Sequence, residues 1–181
     1  SELVNMILFL GIVFSMMAIS LTAIYGVTDS IAGEKERGTL ETILTFPIKS
    51  KELITGKYLA ITTSCIITSI ISSILVVVSI TFSKNHYSVF DGAILNLNVT
   101  TMLLILLLMI SYSFFVSGLC IAIASFTRSY KEAQSALTPV SMMTMIPMMM
   151  NVMEISLNTK LSFIPVISHT MLINDIVTLG I

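Results

Sequence analysis

The sequence predicts an all-α integral membrane protein, with four transmembrane helices, a cytoplasmic amphipathic helical hairpin and an extracellular re-entrant helical hairpin. Three observations carry that prediction. The 181 residues are 55% hydrophobic and only 10% charged, with a mean hydropathy of +0.99, whereas soluble domains carry roughly 25% charged residues. Nine basic and ten acidic side chains cannot solvate the surface of a globule this size, so most of that surface faces lipid. Finally, long apolar stretches alternate with connections of very unequal charge.

A spanning helix needs about 20 largely apolar residues. Leu3–Val27, Tyr58–Phe82, Val99–Phe126 and Ala136–Met153 meet this without a charged residue inside the first three and with none in the fourth. The terminal piece, residues 159–181, is weaker. Pro165 interrupts its apolar run from Leu161, and His169, Asn174 and Asp175 break its apolar face. It is expected to re-enter on the outer side. The whole chain, 1–181, is one transmembrane domain.

Lys35, Arg37, Lys49, Lys51 and Lys57 lie between the first and second spans, and Arg128 and Lys131 between the third and fourth. Lys84 and Lys160 are alone in the other two connections. Positive residues mark cytoplasmic connections, so the segment 30–57 is expected in the cytoplasm and the chain in the plasma membrane. Both termini then fall outside. One further span on each side, giving six, is the expected parent, of which this is a fragment.

The charged segment has structure of its own. Ser30–Thr45 is expected to form a short helix, with Leu40, Ile43 and Leu44 on one apolar face. Gly33 and Gly38 weaken its first half. Pro47 disfavours helical geometry at Phe46 and marks a turn. Ser50 is the expected N-cap of a second helix, with Glu52 in its first turn, running into the second span past Lys57 and Tyr58.

Enzyme motifs are absent. Gly33-Glu-Lys-Glu-Arg-Gly38-Thr39 has the glycine spacing of a phosphate loop but lacks its lysine and a preceding strand. His86 and His169 are isolated and expected at the outer interface. Cys65 and Cys120 sit in apolar runs with no metal-ligand spacing and are expected to be buried thiols. A net charge of −1 offers no field for nucleic acid. Met142, Met145, Met149 and Met153 fall near one face, without the Cys or His that would favour copper.

A simple connection needs few residues, yet this one carries two amphipathic helices, the pattern by which a helix docks in a partner's groove. From Ala32 to Ala60 it reads AGEKERGTLETILTFPIKSKELITGKYLA. This resembles the hairpin of type-2 ATP-binding-cassette exporter permeases: a charged, Glu-rich stretch, Gly-Thr-Leu-Glu, a Pro turn, then Gly-Lys at the next span. The matching positions are Glu34, Glu36, Arg37, Gly38, Thr39, Leu40, Glu41, Pro47, Gly56 and Lys57. Within that family the chain is similar to the sodium-efflux branch, through its hydropathy and the loop Phe126–Gln134. The resemblance implies a prokaryotic efflux permease working with a separate cytoplasmic ATPase and a second permease protomer, identical or not. ATP and Mg would bind the ATPase, with no cofactor in this chain. Glu34, Glu36, Arg37, Gly38, Thr39, Leu40, Glu41, Ile43, Leu44 and Pro47 would form the ATPase-coupling interface. Pro147, mid-span, and Pro165 would belong to an external gate.

The spans carry hydroxyls in place of charges. Thr62, Ser69 and Ser73 share a face of the second span, with Cys65 and Ser72 beside it. Ser111, Gly118, Ala122 and Ser125 lie on one side of the third. These residues either pack helices closely or line a polar pathway, and packing is the favoured reading. The alternative function is an ATPase-independent secondary transporter or channel subunit. It would call for ionisable groups within the spans, and an intramembrane enzyme would call for clusters of them.

Overall fold

The computed structural model describes residues 2–45, 49–86, 99–146, 149 and 167–172. Helix α1 (Glu2–Val27) continues through a π-helical turn (Thr28–Gly33) into the short α2 (Glu34–Glu36). Then come α3 (Thr39–Leu44), α4 (Ser50–His86), α5 (Val99–Ser125) and α6 (Tyr130–Met143). Among the described residues all the regular structure is helical, and three helices are long and apolar enough to cross a membrane: Phe9–Glu36, Ser50–Ser79 and Met102–Ser125.

In hydrocarbon a backbone must satisfy its own hydrogen bonds, which favours helix throughout these runs. Their hydroxyls follow the same rule. Ser15 donates to the Gly11 carbonyl at 2.8 Å, Ser73 to Ser69 at 2.7 Å and Ser113 to Met109 at 2.9 Å. Each bond closes one turn back along its own helix, so the hydroxyl needs no water.

Side-chain pairings set the register of a three-helix bundle. Gly11 of α1 faces Val76 of α4 and Gly26 faces Ile61, so these helices run antiparallel. Ser20 meets Tyr112 and Lys35 meets Ser125, so α1 and α5 run parallel. The core between them has helical spacing: Ile12, Met16, Ile19 and Ala23 on α1, Met109, Tyr112, Val116 and Cys120 on α5, and Ile61 and Cys65 on α4. Helix α6 is amphipathic and lays Ala133, Leu137 and Val140 against the bundle. Ile67, Ile71, Ile74, Leu75 and Val78 of α4 are exposed, an apolar face suited to lipid.

Several expectations are revised. The first span does not stop at Val27, and the charged segment is not one helix from Ser30 to Thr45. The α1 helix carries on to Glu36, and the chain breaks at Gly38, whose φ of 71° is left-handed. That conformation costs an L-residue side chain roughly 1–2 kcal/mol. Ser50 is the first helical residue of α4, not its cap. The cap is Lys49, whose N–H donates to the Glu52 carboxylate at 3.4 Å while its carbonyl accepts from Glu52 and Leu53. Helix α4 has 37 residues, about 55 Å at 1.5 Å per residue, well beyond a 30 Å hydrocarbon core. The fourth helix begins at Tyr130, six residues before the expected Ala136, which puts Pro139 in its interior. As described it has 14 residues, about 21 Å, short of a span. Pro47, Pro147, Pro165 and Met153 lie outside the described residues, as does most of 159–181. Its described part, residues 167–172, is helical and buries Ile167 and Thr170. His169 is not isolated: its ring stands edge-on to Tyr112, centroids 5.7 Å apart, halfway along α5.

Thr62 and Ser117 share a 2.7 Å hydrogen bond in the buried α4–α5 seam. Thr62→Val and Ser117→Ala, singly and together in the full-length protein, should show a coupling of about 0.6 kcal/mol in a denaturation cycle, the usual size for such a bond in a membrane. Strict additivity would mean that the bond contributes nothing.

Candidate functional site

The charged end of the bundle is assembled from four consecutive residues, Glu34 to Arg37, each directed at a different element. The π-turn before them brings Thr28, Ala32 and Gly33 into the interior. Gly33 is closely packed there: a Cβ would stand in ordinary contact, 3.4 Å from the Asp29 carboxylate and 3.9 Å from the Tyr130 ring of α6.

Glu34 forms an ion pair with Lys57 at the start of α4, and Lys57 also donates to the Ser30 carbonyl. Their side chains are only 26% and 15% exposed, so the pair is partly shielded from water. The Lys35 ammonium donates to the carbonyls of Ser125 (2.8 Å) and Thr127 (3.0 Å) at the C-terminal end of α5. A cation suits that site, because the last carbonyls of a helix lack partners and carry the negative end of its dipole. The Glu36 carboxylate accepts the Tyr130 N–H at 2.7 Å, the first of α6. An anion suits the positive end of that helix for the same reason. Arg37 pairs with Asp29 at 3.2 Å, but both side chains are 68% exposed, where an ion pair contributes little.

The turn between α5 and α6 is capped from within as well. Ser129 Oγ accepts the Glu132 N–H at 3.3 Å, and the Glu132 carboxylate accepts the Arg128 N–H at 2.7 Å. This serine–glutamate spacing is a helix-start signal visible in the sequence as Ser129-Tyr-Lys-Glu132. The expected basic loop Phe126–Gln134 is accordingly only four residues of turn, followed by helix.

The coupling residues named from the sequence therefore separate into two groups. Glu34, Glu36 and Arg37 are engaged inside the chain. Thr39 and Glu41 are exposed on α3, together with Thr42 and Thr45, and Ile43 is half-buried. Gly38 is the joint between the groups. Of Leu40 and Leu44 the structure describes the backbone, within α3. Lys35, Lys57 and Asp29 belong to the site although sequence reasoning assigned them no role in it. The Gly33–Gly38 stretch is helical through Glu36, not a phosphate-cradling loop. Among the described residues no group of three or more His, Cys, Asp or Glu is placed to hold a metal.

The hydroxyl residues also divide. Thr62 and Ser69 are buried, and Ser73 lines, with Ser15, a largely apolar crevice of about 350 Å³ between α1, α4 and α5. Gly118 lies under the Tyr58 ring, whose hydroxyl donates to the Phe114 carbonyl. Ser111 and Ala122 face outward. The interior face of α5 instead presents Tyr112, Ser113 and Ser117, with the Tyr112 hydroxyl 2.7 Å from Ser20.

A family model described as ABC-2 family transporter protein matches residues 3–179. The chain is also similar to the ABC transporter permease protein NatB of Bacillus subtilis (strain 168), with 25% identity over 154 residues. That alignment covers 82% of this chain and 36% of the relative, so the chain spans about a third of the relative's length. No solved structure matches. With almost its whole length matched and three membrane-competent helices packed together, this multi-pass membrane protein belongs to the ABC-2 transporter family.

Proposed function

We propose that the chain is part of the permease subunit of an ATP-driven exporter, which moves a small substrate outward when a separate cytoplasmic ATPase hydrolyses ATP. The observation that carries this reading is α3. It is a six-residue helix set off from the bundle by the left-handed Gly38, with Thr39, Glu41, Thr42 and Thr45 exposed. A short helix presented at the end of a helical stalk is a shape that a cleft in a partner can grip. Glu41 and the Leu40–Ile43–Leu44 stripe are the contacts we assign to the ATPase, with Pro47 closing the hairpin. ATP and Mg belong to that partner, and a second permease protomer completes the pathway.

Cytoplasmic placement of this end follows from its lysines and arginines. The substrate would be a sodium ion, a drug or a lipid-like compound. The relative's title calls it an ABC transporter permease, which agrees with an ATPase-linked reading. The chemistry of the spans agrees too. Between Phe9 and Val27, Tyr58 and Phe82, and Val99 and Ser125 there is no Asp, Glu, Lys, Arg or His, whereas secondary transporters rely on such groups at membrane depth. Pro147 and Pro165 remain the residues we assign to an external gate.

Glu41→Arg or Leu40→Asp in the full-length permease should reduce co-purification of the ATPase by about tenfold or more, the scale of one charge misplaced in an interface, and uncouple export. Normal co-purification together with normal export would sink the docking assignment.

Orientation has its own check. Lys51 is exposed on α4, and the native thiols Cys65 and Cys120 are buried. A cysteine placed by Lys51→Cys should react with a membrane-impermeant thiol reagent only when the cytoplasmic face is open to it. Labelling of intact cells from outside would overturn the topology.

A further inference from the structure

We propose that Lys35 and Glu36 form a mechanical joint that ties the α5–α6 turn to the stalk of the docking helix, so that α1, α4, α5 and α6 respond together when α3 is pushed. This rests on the exporter reading and adds a division of labour to it: Glu34 to Glu36 transmit, while Thr39 to Leu44 dock.

The geometry supports it at each step. Helix α3 packs against α2 and is joined to it through Gly38. Helix α2 is the direct continuation of α1. Glu34 holds the start of α4 through Lys57. Lys35 holds the end of α5 through the Ser125 and Thr127 carbonyls, and Glu36 holds the start of α6 through the Tyr130 N–H. The two adjacent residues carry opposite charges, and each meets the helix end whose dipole it complements. Exchanging the charges would set both against the field, so the order Lys then Glu is part of the device. The start of α6 lies close to the π-turn as well: a Cβ at Gly33 would stand 3.9 Å from the Tyr130 ring, an ordinary packing distance. Helices α5 and α6 both lie beyond α4 in the chain and are not directly continuous with the hairpin, and the buried stripe Ala133, Leu137 and Val140 of α6 runs along the bundle from this joint. A tilt of α2 is thus passed to α6 through one anchored hydrogen bond and a packed face.

The joint can be cut from either side. Glu36→Ala removes the acceptor. Tyr130→Pro removes the donor, together with the ring packed beside Gly33, and keeps the helix start: proline is favoured at the first helical position, and Ser129 before it is already extended at φ −131°, ψ 161°, as a residue preceding proline must be. Spin labels on Thr55→Cys and Gln134→Cys, both exposed, report the distance between the start of α4 and α6 in the full-length permease in lipid nanodiscs. The expected result is a single narrow distance in the parent. Either cut should enlarge a detached population about fivefold, the factor that loss of one helix-capping bond implies. The double variant should be no worse than Tyr130→Pro alone, since Glu36→Ala then removes a bond already lost. Glu36→Gln keeps an acceptor oxygen and should stay near the parent. Unchanged distances in both cuts, or fully additive effects, would overturn the joint. The co-purified ATPase should remain bound in the cut variants while the MgATP-driven distance change at α6 is lost. ATPase lost from Tyr130→Pro would also overturn the proposal, by making the joint part of the docking surface. If no ATPase accompanies even the parent, the exporter reading fails, and the label distances, which need no ATPase, still decide the joint.

Discussion

Every polar group between Phe9 and Ser125 that lies in hydrocarbon has to find its partner inside the protein, and the rest of the structure follows from that constraint. It makes the long runs helical. It turns serine and threonine hydroxyls back onto their own helices, as at Ser15, Ser73 and Ser113. Other hydroxyls cross to a neighbouring helix: Ser20 pairs with Tyr112 between α1 and α5, Thr62 with Ser117 between α4 and α5, and Tyr58 of α4 donates to the Phe114 carbonyl of α5. These bonds fix which faces of three featureless apolar cylinders meet. Hydrophobicity alone cannot do so, because lipid tails are as apolar as leucine.

The same constraint drives charge to the end of the bundle, and there it acquires a different use. A helix entering water leaves unpaired N–H groups at one end and carbonyls at the other. The Glu34–Arg37 run meets these needs for neighbouring helices. Lys35 satisfies the end of α5, and Glu36 the start of α6. Charged side chains that look like a solvated connector are therefore bonded to neighbouring elements, Glu34 and Lys35 half-buried and Glu36 and Arg37 while still exposed.

How much of this was legible in the sequence depends on the range of the interaction. The three long helices were, because length and apolarity are local. Of the face of Thr62, Ser69 and Ser73, the structure buries the first two, and Ser73 lines the crevice between α1, α4 and α5. Gly38 was read as a weak point of the helix and as part of the coupling interface, but its left-handed φ was not, since that is set by where α3 must go. The start of α6 was placed too late by attending to hydropathy, although the Ser129–Glu132 capping pair marks it. His169 was assigned to the outer interface because nothing along the chain links it to Tyr112, which it meets across the bundle.

The sequence by itself determined the solvent of this protein, its helical class, its topological alternation of charge and its family resemblance, because each depends on composition or on residues close along the chain. The tertiary structure decided what the charges do. Lys35 reaches carbonyls about ninety residues away, and Glu36 an amide ninety-four away. No periodicity announces such contacts. They exist only once α1 and α5 have packed in parallel and brought the α5–α6 turn beside the end of α2, where the ends of two helices present partial charges that a neighbouring lysine and glutamate can satisfy.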